Sequence, residues 1–300
     1  MNWKSVLIVG AVAMLPVSMM AQANILNAKK PEQVGVKTAA QQAQDNDEPL
    51  AYGYVDDRDI LWSKTIWEVI DLDERVNFPL YYPTDTVDIG SDRRSLYDVL
   101  MKAVKNGDLT DVYVDSYFTE KRKYSDLLST LQKVDTTDYG YEQLNAGETV
   151  SPEYINRREL TAADIEEYRI KGMWYFDKRQ GELKYRLLGI APVAPDVNFI
   201  DDESMDVQDN KVALFWVWYP SARNILHQAK VFNQRNTAQP LSFDVLLNAR
   251  RFNAVIYKED NIHGDRDIKD YISDNALFQL LEANRIKEVI RDREQDMWSY

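Results

Sequence analysis

The chain has 300 residues, of which 36 are Lys or Arg and 49 are Asp or Glu, so its formal net charge is −13. The absence of cysteine excludes thiolate zinc sites, disulfide scaffolds, thiol catalysis and lipid attachment to an N-terminal cysteine. The acidic balance argues against nucleic acid as a partner, because the chain repels phosphate groups. Its apolar content of 45% is too high for a fully disordered protein.

Residues 1–23 have the features of a secretory signal peptide. Lys4 supplies a positive start, residues 6–17 are apolar, and Ala21 and Ala23 form a small-x-small cleavage site. The apolar run is shorter than the roughly 20 residues that a membrane-spanning helix needs. We therefore expect export and cleavage, and no membrane anchor in the mature chain. Without a cysteine at the cleavage site, attachment to a membrane requires another protein.

Composition divides the rest of the chain into three parts. Residues 24–51 are rich in Ala, Gln, Asn and Lys and have no aromatic residue, which predicts a flexible leader. We expect an α+β domain over residues 52–274. Residues 275–300 carry many charges and predict a C-terminal helix or tail.

Helical spacing and capping residues predict several helices. Apolar residues recur at helical intervals in residues 60–70. Ser95 and Asp98 have the spacing of a capping box, and Gly107 is a typical helix stop. The same reasoning predicts helices over residues 125–131, 161–172, 222–232, 242–252 and 275–292. The polar stretch of residues 136–152 predicts a loop.

Strand patterns predict a β-hairpin from residues 173–176 and 183–190, joined by a polar turn. Prolines just beyond residue 190 are expected to end its second strand. Residues 212–219 are nearly all apolar, which predicts a central strand buried on both faces. Shorter strands are expected at 111–118 and 254–257.

Helices and strands therefore alternate irregularly along the chain. This order favours the α+β class, with a mixed sheet that contains the hairpin and the central apolar strand and is packed by several helices.

The sequence contains little catalytic chemistry. His227 and His263 belong to no metal-binding motif, and nucleophile elbows, phosphate loops and dinucleotide fingerprints are absent. Asp260, Asp265 and Asp267 alternate as in a calcium loop, but the required glycine and terminal glutamate are missing. We interpret this loop as an exposed turn. We predict no catalytic residue, no cofactor and no metal site.

Two rival hypotheses rest on aromatic and acidic residues. The chain could be a periplasmic glycan-acting hydrolase, or a glycan- or peptide-binding module without catalysis. The residues in question are Trp174, Phe176, Trp216, Trp218, Asp56, Asp57, Asp201, Asp202 and Glu203. Core packing is the ordinary role of such aromatic side chains, and adjacent acids are usually solvated. The hydrolase hypothesis requires two carboxylates that face each other across a sugar site.

Four long blocks carry a resemblance to a known family. Residues 56–83 (DDRDILWSKTIWEVIDLDERVNFPLYYP), 171–196, 214–236 and 241–272 resemble the GldN family, also called PorN. The resemblance implies a non-enzymatic periplasmic ring or scaffold subunit of the type IX secretion and gliding motility machinery. It carries over no catalytic residue and no cofactor.

The resemblance also implies partners and a location. The expected partners are an outer-membrane lipoprotein of the GldK or PorK type and the periplasmic part of a GldM- or PorM-like motor protein. The chain is expected to form a homo-oligomeric ring with the lipoprotein, at the inner face of the outer membrane. Contact with the membrane would be indirect. An acidic surface of this chain would suit a basic partner face.

Overall fold

Several strands of the protein are rich in β-branched and aromatic residues, which fit a pleated, half-buried surface. The strands are β1 (Ile60–Asp71), β2 (Val112–Tyr113), β3 (Gln132–Thr136), β4 (Ile155–Glu159), β5 (Glu167–Asp177), β6 (Glu182–Pro195), β7 (Lys211–Ala213), β8 (Trp216–Trp218), β9 (Lys230–Val231), β10 (Leu241–Ser242) and β11 (Val255–Glu259). The helices are α1 (Phe78–Tyr81), α2 (Leu96–Asn106), α3 (Tyr124–Leu131), α4 (Asp138–Asn145), α5 (Tyr219–Gln228), α6 (Phe243–Asn248), α7 (Ile268–Tyr271) and α8 (Ala276–Trp298).

These elements come from a computed structural model, which describes residues 30, 32, 39, 43, 47–87, 89, 93–147, 149–199, 210–233, 236, 241–273 and 275–298. The strands and helices given above all belong to one compact unit, Pro49–Tyr300. The predicted signal peptide of residues 1–23 and the acidic stretch of residues 201–209 lie outside the described residues, as does most of the predicted leader.

Seven strands form one large sheet with the order β11-β1-β5-β6-β8-β2, and β7 pairs with the end of β6. Two small ribbons, β9–β10 and β3–β4, stand apart from it. The α+β class is therefore confirmed. Where we expected a mixed sheet, the pairings between the described strands are antiparallel.

The predicted hairpin is confirmed and is longer than expected. β5 and β6 pair from Glu167 to Asp177, around a turn in which Gly181 adopts a φ of 66°. The prediction that prolines end β6 was wrong, since the strand continues to Pro195. Pro192 has no N–H to donate, but its carbonyl oxygen still takes part in the pairing. It accepts from the Leu214 amide at 2.9 Å.

The predicted helix over residues 161–172 was wrong. Thr161 caps a single 3₁₀ turn, Ala162–Asp164, and the chain then enters β5. The burial of Tyr168, Ile170 and Gly172 has the two-residue period of a strand. A capping signal thus specified a turn, and sheet pairing determined what followed it.

The predicted helix over residues 60–70 was also wrong, because this segment forms β1. β1 lies between β5 and β11, and Thr65, Ile66, Trp67 and Glu68 are all buried. Burial on both faces removes the alternation of apolar and polar residues by which a strand is normally recognised. The remaining pattern of apolar residues matches a helix equally well.

The apolar stretch of residues 212–219 is divided rather than continuous. It forms β7 and β8, which are joined through Leu214 and Phe215, and Tyr219 begins α5. Trp216 and Val217 are buried, as predicted for this segment. β8 pairs with β6 on one side and with β2 on the other, so it is an interior strand that lies one place from the edge of the sheet.

Residues 136–152 were predicted to be a loop but include α4. This helix follows β3, and the chain returns through β4 to complete a two-stranded ribbon. We call residues 132–159 the β3–β4 arm.

The helices that begin after Ser95 and Ser242 were predicted, although the second ends at Asn248 and not at residue 252. The Ser95 hydroxyl accepts from the Asp98 amide at the start of α2, and Gly107 ends the helix with a φ of 81°. Ser242 caps α6 in the same way through the Val245 amide. Capping depends on neighbours in the chain, so the starts of these two helices could be predicted from the sequence.

Within the described residues the core consists of one large apolar cluster, a smaller second one, and a third that contains Trp67, Ala191 and Trp216. The large cluster joins the sheet to α2, α5 and α6. The second cluster joins β1 and β11 to α7 and α8. Tyr185 packs against both, so they meet at this side chain.

A buried ion pair lies at the point where the two clusters meet. Glu68 is 1% exposed, and both of its carboxylate oxygens accept from Arg250, at 2.9 and 2.7 Å. The Tyr185 hydroxyl donates to the same carboxylate at 3.4 Å. Burial alone would lower the pKa of Arg250, but the hydrogen bonds and charge of Glu68 outweigh it and raise that pKa.

We expect Glu68→Gln to lower the free energy of unfolding by about 3–5 kcal/mol, because it removes the counter-charge of Arg250, whose side chain is only 26% exposed. Urea denaturation of the chain without residues 1–23 measures the effect. Asp292→Asn is the control, since the side chains of Asp292 and Arg291 are each 61% exposed. Loss of this exposed ion pair should change the free energy of unfolding by less than about 0.5 kcal/mol. Equal losses in both variants would contradict the prediction.

Gly172→Ala tests the packing around Tyr185. A methyl group at Gly172 would overlap the Tyr185 ring, whereas Gly53 has no heavy atom within 4 Å of the position a methyl would take. We expect a loss of about 1–3 kcal/mol for Gly172→Ala. The matched Gly53→Ala variant should stay within about 0.5 kcal/mol of the parent. Thermal denaturation gives the melting temperature of each variant. Similar melting temperatures would show that a methyl group at Gly172 does not overlap the Tyr185 ring.

Candidate interaction surfaces

The C-terminal helix α8 is held against the domain along one side. Ala283, Ile286 and Ile290 recur at helical spacing and are buried in the second apolar cluster. The Lys287 ammonium donates to the Ala254 carbonyl at 2.9 Å, just before β11. The helix is therefore positioned by its own buried side chains and by the edge strand.

An ion-pair network adds to this attachment. Arg285 donates to both carboxylate oxygens of Glu282, at 2.8 and 2.6 Å, and lies 3.9 Å from Glu259. Glu259 also pairs with Lys64 of β1 at 2.8 Å. The hydrogen bonds from Arg285 hold the pKa of Glu282 below its usual value.

The first two turns of α8 expose four large apolar side chains. Leu277, Phe278, Leu280 and Leu281 are 63%, 56%, 47% and 52% exposed. Contiguous exposed apolar residues are typical of protein–protein contact sites. We call these four residues the α8 apolar face.

A pocket of about 370 Å³ adjoins this face, and Leu280 is part of its wall. Val69 and Ile256 supply further apolar wall, and Arg169 supplies a cation. The guanidinium carbon of Arg169 lies 5.6 Å from the centre of the Tyr257 ring. Its Nε atom is buried and has no hydrogen-bond partner among the described residues. With Lys269 and Asp267 also in its wall, the pocket combines apolar contact with two cations and one acid among the described residues.

The β3–β4 arm forms a second exposed apolar surface. Val134 of β3 and Tyr139, Tyr141 and Leu144 of α4 are each more than half exposed. The Tyr139 ring lies 6.0 Å from the ring of Tyr154, which steadies one of these side chains. A two-stranded ribbon with uncovered aromatic residues is well suited to contact another protein.

The tryptophans of the glycan hypotheses lie in different surroundings. Trp216 is buried beside Trp67, and Trp218 is partly buried with its ring edge-on to Phe118 at 4.8 Å. Trp174 lies apart from both, 5.1 Å from the Tyr185 ring. Phe176 is buried. These residues do not build one aromatic platform.

The acids of the loop after β11 line a cleft of about 540 Å³. Asp260, His263 and Asp265 are brought there together with Glu259 and Glu282. The last two are engaged by Lys64 and Arg285, and a lowered pKa makes Glu282 unsuited to donate a proton at neutral pH. No group of three potential ligands able to hold a metal ion occurs within the described residues.

The remaining predicted residues lie elsewhere. Asp56 caps the 3₁₀ turn Asp57–Asp59 and pairs with Arg58 at 3.4 Å. His227 is buried in α5, with its Nδ1 atom 3.5 Å from the Ser242 hydroxyl. Residues 201–203 fall outside the described residues. The structure therefore does not place facing carboxylates beside an aromatic platform in the part of the chain that it describes.

Residues 55–299 match the family described as Gliding motility associated protein GldN. The chain belongs to the GldN family. The match includes every strand and helix given above, and it continues through α8, beyond the blocks that carried the resemblance. None of the curated proteins matches the chain significantly.

This GldN-family protein is a component of the gliding motility and type IX secretion machinery, and the family is not a known enzyme family. Among the described residues, none of the helices is both long enough and apolar enough to cross a bilayer.

The α8 apolar face was missed in the sequence, although a signal for it exists. At about 100° per residue, Leu277, Phe278 and Leu281 fall on the side of the helix opposite to Ala283 and Ile286. Apolar residues on both sides of a charged helix are more than the core requires. In the GldN-family protein this surplus is the set of apolar side chains that α8 leaves exposed.

The two sides of α8 should respond differently to substitution. We expect Leu281→Glu to change the free energy of unfolding by less than about 0.5 kcal/mol, because the side chain is exposed. Ile286→Ala should cost about 2–5 kcal/mol, because it leaves a cavity in the second cluster. Urea denaturation measures the free energy of unfolding of both variants. A large loss of stability for Leu281→Glu would show that the α8 apolar face is part of the core.

Proposed function

We propose that this protein is a non-enzymatic periplasmic scaffold subunit of the type IX secretion and gliding motility machinery. It binds an outer-membrane lipoprotein of the GldK or PorK type and the periplasmic part of a GldM- or PorM-like motor protein. With the lipoprotein it forms a ring at the inner face of the outer membrane. The family match over residues 55–299 carries this proposal.

The exposed surfaces support a linking role. A subunit that joins two partners needs two separate contact regions, and the α8 apolar face and the β3–β4 arm are formed by different parts of the chain. Each contains four large apolar side chains that the domain itself leaves uncovered. Such side chains supply the central buried contacts from which interfaces draw most of their binding energy.

The net charge of −13 supports basic partner surfaces. Opposite charge accelerates encounter between subunits and helps to exclude wrong partners. The energy of the contact is expected to come from the apolar side chains, since exposed ion pairs contribute little.

The proposal is tested by purifying the tagged chain from its own cells after mild cross-linking. We expect mass spectrometry to recover both the lipoprotein and the motor protein, and an unrelated exported protein with the same tag to recover neither. Normal secretion in cells that lack this chain, together with recovery of neither partner, would refute the proposal.

Paired variants assign the two surfaces. Phe278→Glu with Leu281→Glu disrupts the α8 apolar face, and Tyr141→Glu with Leu144→Glu disrupts the β3–β4 arm. Each pair should reduce recovery of the partner that covers its surface by at least ten-fold and leave the other partner bound. The double variant Glu288→Ala with Glu294→Ala, on exposed positions of α8, is the control. Unchanged recovery in both test variants would exclude these surfaces as partner sites.

A further inference from the structure

A groove of about 770 Å³ lies between α2 and the segment that follows α5. Its apolar lining comes from Val99 and Ala103 on α2 and from Ile225, Ala229 and Phe232 on the other side. Phe232 is 43% exposed, so part of this lining faces solvent. The volume falls in the range of pockets that hold small ligands or a few side chains of a peptide.

Four cations surround this apolar lining. They are Arg93, Arg94, Lys102 and Lys230, and Asp108 is the one acid among the described residues that line the groove. A local excess of positive charge is unusual in a chain with a net charge of −13. It therefore marks this groove as different from most of the surface.

Several of these cations are held in place before any ligand arrives. The Arg93 guanidinium lies 4.8 Å from the centre of the Phe232 ring. Arg94 donates to the Arg93 carbonyl at 2.8 Å, and the Lys230 ammonium donates to the His227 carbonyl at 3.2 Å. Cations that are already ordered lose less entropy when they bind a carboxylate. Guanidinium groups also match the geometry of carboxylates.

We propose that this groove binds a protein segment in which Asp or Glu residues flank large apolar side chains. The apolar side chains would contact Val99, Ile225 and Phe232, and the carboxylates would pair with the surrounding cations. Charge complementarity favours such a segment over a polyanion. A nucleic acid or an anionic membrane extends beyond the Debye length of about 8 Å and meets the acidic remainder of the chain, whereas a short segment meets mainly the groove.

This inference rests on the proposed function only in taking the ligand to be a protein. The test uses the chain without residues 1–23 and a display library of random 12-residue peptides. We expect selection to enrich sequences that combine Asp or Glu with Phe, Leu, Ile or Met. Their affinity, measured with the synthetic peptides by fluorescence anisotropy, should fall as salt is raised.

Variants locate the bound peptides. Lys102→Glu changes an exposed rim residue and should weaken the selected peptides at least ten-fold. Phe232→Ala should weaken them about five-fold or more, because it removes apolar contact and the support for Arg93. Lys178→Glu is the matched control, since it makes the same change of charge on the exposed turn between β5 and β6 and should leave the affinity unchanged.

Three outcomes would overturn the inference. Selection could enrich only basic or uncharged peptides, or acidic peptides that bind Lys102→Glu as well as the parent. Vesicles of phosphatidylglycerol could bind through Lys102 while no peptide does, which would identify an anionic membrane instead. Because these assays use the purified chain alone, they can fail while the two proposed partners are still recovered from cells, and the reverse also holds.

Discussion

A carboxylate buried in the middle of a sheet requires a cation beside it, and in this protein that requirement links the sheet to its helices. Glu68 lies on β1, where the pairing with β11 shifts register, and Arg250 reaches it from the end of α6. Arg250 has a φ of 49°, an unfavourable backbone geometry that the surrounding contacts must maintain. Tyr185 joins the pair and packs against both the large and the second apolar cluster. The interaction therefore fixes the position of one cluster relative to the other.

A second buried pair applies the same principle to the start of the domain. Asp244 is 2% exposed and accepts from Arg223 at 2.9 and 3.1 Å. Arg223 also donates to the Leu50 carbonyl at 2.6 Å and lies 4.0 Å from the centre of the Tyr52 ring. Breaking such pairs is costly, because the remaining charge stays buried. The pair therefore ties the start of the domain, at Leu50 and Tyr52, to α5 and α6.

The relation between sequence and structure differs from element to element. The α2 helix could be predicted because Ser95 and Gly107 act on their own neighbours in the chain. β1 could not, because burial from two sides gave its residues no clear strand period. The candidate surfaces were missed for a related reason. Helical spacing puts Leu281 and Ile286 on opposite sides of α8, but the sequence does not say which side is buried, and the structure buries Ile286.

The sequence by itself determined the α+β class, the capped helices, the hairpin and the family, since these depend on composition, on short-range contacts and on long blocks of residues. Only the tertiary structure decided which apolar residues form the core and which remain outside it. It also decided that Arg93 and Lys102 share one groove with Lys230, which is distant from both in the chain. The physical reason is that burial and charge environment depend on which elements meet in space.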